Sequence, residues 1–301
     1  MKKAFATLAA TAILVSACGA APGKPDAAAP KTTSPAAPAP SGQTAAPAPG
    51  GSPQPAPVPS APAGAQTSAP TPVSGQSGAE ASKADAEIKK DYHMNKNYDI
   101  VPNDPNGNKK VVLLTFDDGP KEKEMIDSLL DTLDKHKAKA IFFMNGYRIK
   151  AHPELLKLID QRGGIIGNHS WDHIDLKKEN SAKIDQQVDD VIKIMQDTVG
   201  KKPQFFRPPF GSGNDYLREK VKKEGMLYMT WSNGSLDWDM TMKKNDPDKV
   251  VKNVLDQLHN GSNILMHELP WTCEALDKLL TQLEEKGYSF VDPRAIELEM
   301  K

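Results

Sequence analysis

The stretch VVLLTFDDGP, Val111 to Pro120, is an apolar run that ends on two adjacent carboxylates and a Gly-Pro turn. Its apolar part is too short for a helix that buries a face and reads as a strand entering a core. Asp117 and Asp118 repel one another, and a strand end facing a core is a costly place to keep both charged unless something nearby compensates. The surrounding sequence has to supply that compensation.

On both sides of this stretch, short β-branched or aromatic runs alternate with longer amphipathic ones. KVVLLTF, AIFFMNG, GGIIGNH, QFFRPPF, MLYMTWS, SNILMHE and YSFVDP read as strands. EKEMIDSLLDTLDKHK, PELLKLIDQRG, SAKIDQQVDDVIKIMQDTVG, YLREKVKKEG, PDKVVKNVLDQL and CEALDKLLTQLEEKG read as helices, with Gly163, Gly200, Gly225, Gly261 and Gly287 where helices stop. Such alternation predicts a parallel sheet with crossover helices, either doubly wound or closed into a barrel. The polar residues separate the two. Asp117, Asp118, His169, Arg207, Trp231 and His267 fall at or just past the C-terminal ends of five strands. A barrel converges several strand ends on one volume, whereas an open sheet gathers its chemistry from two or three at a switch point. The expected fold is therefore α/β, a distorted (β/α) barrel of about seven strands.

Upstream, the composition changes. Residues 18–83 hold most of the chain's 25 prolines and no aromatic residue, so they are expected to form a disordered Pro/Ala-rich linker. At about 3.1 Å per residue, an extended linker of this length reaches about 100 Å or more. Residues 1–17 combine a basic start with an apolar stretch and small residues before Cys18, a pattern that resembles a bacterial lipoprotein signal. That resemblance implies cleavage before Cys18, lipidation of its thiol and anchoring to the outer face of the cell membrane. An ordinary secretory signal is the other reading, and both imply export. If Cys18 is acylated, Cys273 has no intramolecular disulfide partner. Residues 84–110 form a lead-in without a legible motif, and 111–301 are expected to be the catalytic domain. The net charge of −1, with both signs interspersed, gives no indication of a nucleic-acid site, and no protein partner is evident.

Four further motifs accompany the paired carboxylates. In NHSWDH, His169 and His173 are four apart, which on a helical turn would put both imidazoles on one side; two surface histidines give the same spacing. A divalent cation shared by Asp118, His169 and His173 would neutralise part of the paired charge, and two imidazoles with a carboxylate are a zinc-type donor set. In RPPFGSG, Arg207 precedes a rigid Pro-Pro turn and could grip Asp117 or form a structural salt bridge. WSNGSLDW carries Asp237 and Trp238. ILMHE ends an apolar strand on His267, which reads as a buried, satisfied histidine or as an acid oriented by Asp237.

TFDDGP, NHSWDH, RPPFG, LDW and LMHE, in this order over Val111 to Asp292, resemble the five motifs of the polysaccharide deacetylases of carbohydrate esterase family 4. The resemblance implies a divalent metal, zinc first, with cobalt or another ion in its place, and hydrolysis of N-acetyl or O-acetyl groups on a glycan. It makes Asp117 the base, tethered by Arg207. Asp118, His169 and His173 become metal ligands, and His267 the acid with Asp237 as partner. It gives Trp238 and Leu265 the acetyl methyl, and the backbone N–H of Phe210 the oxyanion. Gly234 and Ile174 depart from the residues often found there, an aspartate and a proline. Export and the linker point to peptidoglycan, at N-acetylglucosamine or N-acetylmuramic acid. The rival readings are a weak or inactive deacetylase-fold protein that binds wall glycan and an O-acetyl esterase on another glycan. A non-haem iron oxygenase shares the donor set, but its usual double-stranded β-helix conflicts with the βα alternation. There is no G-x-S-x-G of a serine hydrolase.

Overall fold

The computed structural model describes residues 88–301; the signal-like segment, Cys18 and the Pro/Ala-rich tract lie outside the described residues. The chain begins with β1 (Tyr92–Met94) and β2 (Ile100–Pro102), then enters β3 (Val111–Gly119) and α1 (Lys123–Lys135). There follow β4 (Ala140–Met144), α2 (Gly146–Ala151), α3 (Pro153–Gln161), β5 (Ile165–Asn168), α4 (Ser181–Val199) and β6 (Phe205–Phe206). The rest comprises α5 (Asp215–Lys223), β7 (Leu227–Tyr228), β8 (Asn233–Gly234), α6 (Pro247–Asp256), β9 (Ser262–His267), α7 (Pro270–Glu285), β10 (Ser289–Phe290) and β11 (Ile296–Met300).

Seven parallel strands in the order β7-β6-β5-β4-β3-β9-β8 form the main sheet, the distorted barrel expected from the sequence. Strand β10 pairs with Val111 and Val112 on the edge of β3 that β4 takes over from Leu114. The sheet's two edge strands, β7 and β8, are consecutive in the chain. No ladder joins them. Instead, Met229 N–H bonds Phe206 O (2.9 Å), Ser232 N–H bonds Asn263 O (3.1 Å), and Thr230 O accepts from Arg207 and Asn263. Only the last of these bridges the seam with side chains, Arg207 from beyond β6 and Asn263 from β9 meeting on Thr230 O.

The period-two alternation of β3 sorts its residues between two cores. Val111 and Leu113 face the barrel interior with Ile141, Phe143, Phe205 and Leu227, while Val112, Leu114 and Phe116 face the helix layer. In that layer, Ile126, Leu129, Leu130 and Leu133 form one stripe of α1, and Leu276, Leu279, Leu280 and Leu283 one stripe of α7. Helix α4 begins at Asn180, whose side chain accepts from Lys183 N–H (3.0 Å), a cap worth about 1 kcal/mol, and ends at left-handed Gly200.

A second sheet, β11-β1-β2, draws on the lead-in and the C-terminal residues. Its Met94, Ile100 and Ile296 join the interior core at the N-terminal end of the barrel strands. Gly261 makes this possible: its N–H bonds Val111 O, its carbonyl takes Ile100 N–H, and a Cβ there would stand 2.3 Å from Ile100 O. Strands of three residues carry no readable period, which is why the lead-in gives no signal in sequence. Strand β8 was likewise hidden inside WSNGSLDW.

Candidate active site

Along β3, the interior face that begins with Val111 and Leu113 continues through Thr115 to Asp117. A regular strand would turn Asp118 the other way. The register between β3 and β4 slips between Phe116 and Gly119, however, and Asp118 adopts a left-handed φ of 65°. This irregularity re-aims one side chain, so two adjacent carboxylates face one volume.

Arg207, fully buried just past β6, addresses Asp117. Its Nη1 donates to Asp117 Oδ1 (2.7 Å) and Thr115 Oγ1 (2.7 Å), and its Nη2 to Thr230 O (2.8 Å) and Asn263 Oδ1 (3.2 Å). The guanidinium lies 4.5 Å over the Phe143 ring. Burial lowers the Arg207 pKa against the opposing effect of Asp117, but a guanidinium remains charged in proteins. The pair is thus an ion pair inside a hydrogen-bonded cage. Thr115 and Asn263 were not singled out in sequence; their signal was a polar residue at alternate positions of otherwise apolar strands.

His169 and His173 flank Asp118, with Nε2 atoms 3.4 and 3.1 Å from Asp118 Oδ1. The expected helical turn is absent: Ser170 and His173 have φ of 65° and 55°, and the segment is a loop. Side chains hold it open. Asn145 Nδ2 donates to His169 O (2.7 Å), Ser170 N–H to Asn168 Oδ1 (2.9 Å), and Asp172 N–H to Gln187 Oε1 (2.8 Å). The Phe210 ring packs edge-on against His173 at 4.8 Å.

His169 Nδ1 lies 2.7 Å from Arg207 O, a carbonyl that can only accept, so Nδ1 carries the proton. In a neutral ring, Nε2 then presents its lone pair to Asp118 Oδ1, which is buried without a hydrogen-bond partner. Donor atoms of Asp118, His169 and His173 lie within 4.8 Å of one another. Lone pairs converging on one point call for a cation, and one carboxylate with two imidazoles fits a divalent metal. Burial alone would raise the Asp118 pKa; His169 and His173 carrying protons on Nε2 would outweigh it and hold the carboxyl well below its usual range, the part a cation takes when both rings are neutral.

Opposite Asp117 in the ladder stands His267, at the end of β9. Its Nδ1 lies 2.8 Å from Asp237 Oδ1, and its N–H donates to Asp237 Oδ2 (2.7 Å). Thr272 Oγ1 donates to the same Oδ2 (2.7 Å), and Trp271 Nε1 to Asp237 O (2.9 Å). Asp237 is therefore completely buried and held from several directions, even though Gly234 supplies no side chain. Burial works to lower the His267 pKa, but Asp237, Asp117 and Asp118 together raise it. Trp238 sets its ring edge-on to His267 at 5.4 Å, Leu265 is buried two residues earlier on β9, and Phe210 is largely exposed with φ 60°.

Glu268, unassigned from sequence, is also buried. Its Oε1 accepts the N–H groups of Lys121 (2.7 Å) and Glu122 (3.0 Å), tying the turn after Asp118 to the end of β9. Burial raises its pKa above the usual carboxyl value.

The family model for polysaccharide deacetylases matches residues 104–229. The peptidoglycan-N-acetylglucosamine deacetylase of Bacillus cereus is 35% identical over 189 residues, 61% of this chain and 67% of that protein. The chain belongs to the polysaccharide deacetylase family. The uncharacterized protein YlxY of Bacillus subtilis is 35% identical over 166 residues, 55% of this chain, and the chain spans only about half (51%) of YlxY. A solved structure of BA3943 from Bacillus anthracis, described as a carbohydrate esterase family 4 pseudoenzyme, superposes with a TM-score of 0.57. It is 32% identical, over 61% of this chain and 63% of that one. The family thus includes both a named deacetylase and a protein described as a pseudoenzyme. The side chains present in this chain have to decide between them.

Proposed function

We propose that this chain is a metal-dependent N-deacetylase of an exported cell-wall glycan, acting on N-acetylglucosamine or N-acetylmuramic acid residues of peptidoglycan. One observation carries the reading: a buried carboxylate caged by Arg207, a three-donor cluster and an Asp237–His267 pair surround one volume at the strand ends. A protein that only bound glycan would have no use for this combination, which argues against the inactive reading.

Asp118, His169 and His173 would hold the divalent ion, zinc by donor chemistry. Such an ion supplies Lewis acidity and eases deprotonation of water near neutral pH. Asp117 takes the proton from the attacking water. Arg207 supplies its counter-charge and fixes the orientation of its carboxylate. His267, held by Asp237 with Nδ1 protonated, presents Nε2 to the leaving amine and gives it a proton. The backbone N–H of Phe210 would donate to the developing oxyanion, and Leu265 with Trp238 would enclose the methyl group. An amine is the poorer leaving group and needs the proton from His267, so the well-held acid favours amide over ester cleavage.

Mass spectrometry of acetate release from a panel of acetylated glycans, before and after chelation and zinc or cobalt replacement, tests this function. Full activity in a metal-free preparation would contradict it. Export and attachment through Cys18 complete the proposal. They are tested by Cys18→Ala, which should release the protein from membranes with its acetate-releasing activity intact, whereas continued anchoring would refute the lipid. No helix among the described residues is long and apolar enough to cross a membrane.

A further inference from the structure

Among the described residues, two cations on the face that carries the site make no ion pair. Lys121 follows the Gly119–Pro120 turn after β3, and Arg148 lies on α2, the short helix after β4. Among the described residues, neither side chain makes an ion pair, and Arg148 Nε is buried without an acceptor. Other arginines differ: Arg162 holds Asp131 and Asp134, Arg207 holds Asp117, and Arg218 reaches the Tyr98 hydroxyl. A buried donor left unpaired is unfavourable, so a native fold that keeps one calls for an explanation.

Glu268 is the acid that acts on both cations through space, but neither reaches it as an ion pair, and its Oε2 is itself buried without a hydrogen-bond partner. Glu268 Oε1 is occupied by two backbone N–H groups, and Oε2 is packed so tightly on the turn that a Cβ at Gly119 would stand 2.6 Å away. Burial lowers the Lys121 pKa. Asp118 opposes this and Arg148 adds to it, and the Lys121 N–H bond to Glu268 Oε1 (2.7 Å) places the residue at the end of β9, beside His267. Arg148 stacks its guanidinium 5.0 Å over the ring of Tyr147, which is 40% exposed. An open aromatic face beside an unpaired guanidinium suits a sugar ring that carries a negative substituent.

We propose that Lys121 and Arg148 form a subsite for a carboxylate on the glycan, next to the acetylated sugar being processed. This rests on the deacetylase reading and adds the charge class of the substrate. In peptidoglycan a carboxylate comes from two sources, the lactyl ether of a muramic acid without peptide, and the stem peptide. Arginine provides a planar two-donor fork for it, and lysine a point charge from the neighbouring strand end.

The test compares three glycans of matched length: a neutral N-acetylglucosamine oligomer, peptide-free strands with lactyl carboxylates, and strands that keep their stem peptides. The wild type should process a carboxylate-bearing strand with a kcat/KM about 10-fold or more above the neutral oligomer, the scale of one charge-assisted hydrogen bond. The better of the two charged strands identifies the source. Arg148→Gln and Lys121→Gln should each reduce this preference about 10-fold, mainly through KM, and added salt should reduce it as well. Equal wild-type rates on charged and neutral strands would overturn the subsite. So would substitutions that lower all three rates alike, since that would assign the cations to supporting Glu268 and its turn. Calorimetric binding of the peptide-free strands and the neutral oligomer reads the same discrimination without turnover. Loss of acetate release from every glycan would refute the deacetylase reading, and the binding ratio would still judge the subsite.

Discussion

Replacing Asp237 with Asn probes how the proposed acid is set. Asp237 Oδ1 faces His267 Nδ1 at 2.8 Å, while Oδ2 takes both His267 N–H and the Thr272 hydroxyl at 2.7 Å. An amide cannot serve both sides. With its oxygen towards Nδ1, its NH2 meets two donors; flipped, its NH2 meets Nδ1 and forces the proton onto Nε2, where it no longer reflects an imidazolium. The charge is lost either way. At an effective dielectric of about 20, a unit charge about 4 Å away is worth at most about 4 kcal/mol, so losing it lowers the His267 pKa. A cation at Asp118 would offset the contribution of that carboxylate to His267, which leaves Asp237 as the dominant partner. His267 must be protonated to act. Asp237 holds its pKa above the ordinary value, so Asp237→Asn should move the alkaline limb of the pH–rate profile to lower pH and reduce turnover about 100-fold or more. The linkage has the same sign. A raised histidine contributes stability that is complete below its unfolded pKa, near 6.5, and is lost as pH rises through the folded value, so the variant should lose most stability on the acidic side. Acetate release and urea unfolding between mildly acidic and mildly alkaline pH check both. An unchanged alkaline limb with wild-type turnover would refute the assignment of His267 as the acid.

Arg207→Met should destabilise the domain by about 3–5 kcal/mol, because Asp117 would remain buried without its counter-charge and the seam at Thr230 would lose two donors. Urea unfolding measures this, and an unchanged midpoint would contradict the cage. Glu268→Ala should release the Lys121–Glu122 turn and weaken zinc binding about 10-fold in a competition titration, since the turn fixes the left-handed Asp118. Glu268→Gln keeps the accepting Oε1 and should bind zinc nearly as well as the wild type. A thermal shift with no change in zinc affinity would limit Glu268 to a structural role.

The sequence revealed the barrel because each long strand is apolar and each long helix has a stripe, and it pointed to the candidate site because Asp117, Asp118, His169, Arg207 and His267 stand where strands end. Other parts depended on contacts between distant residues. Sheet β11-β1-β2 is built from short segments about 200 residues apart, which no local period signals. The loop at His169–His173 is shaped by Asn145, Asn168 and Gln187 rather than by its own propensity, so the expected helical turn gave way to tertiary contacts. Thr272, which takes part in fixing Asp237 where Gly234 offers nothing, lies on α7, and nothing in the local sequence connects the two. Glu268 was visible as a charge after an apolar strand, but its task follows only from the turn folding over it.

The two carboxylates that open the site are adjacent in sequence and assigned different work, so measuring bound metal and turnover together on Asp117→Asn and Asp118→Asn tests the account most directly. Asp118 faces the two imidazoles, and its amide variant should lose the metal and, with it, activity. Asp117 is held by Arg207, and its amide variant should keep nearly wild-type metal content while turnover falls about 100-fold or more. Metal lost from Asp117→Asn but retained by an inactive Asp118→Asn would reverse the two roles. Wild-type metal content and turnover in both variants would show that the paired charge is structural and that the chemistry lies elsewhere.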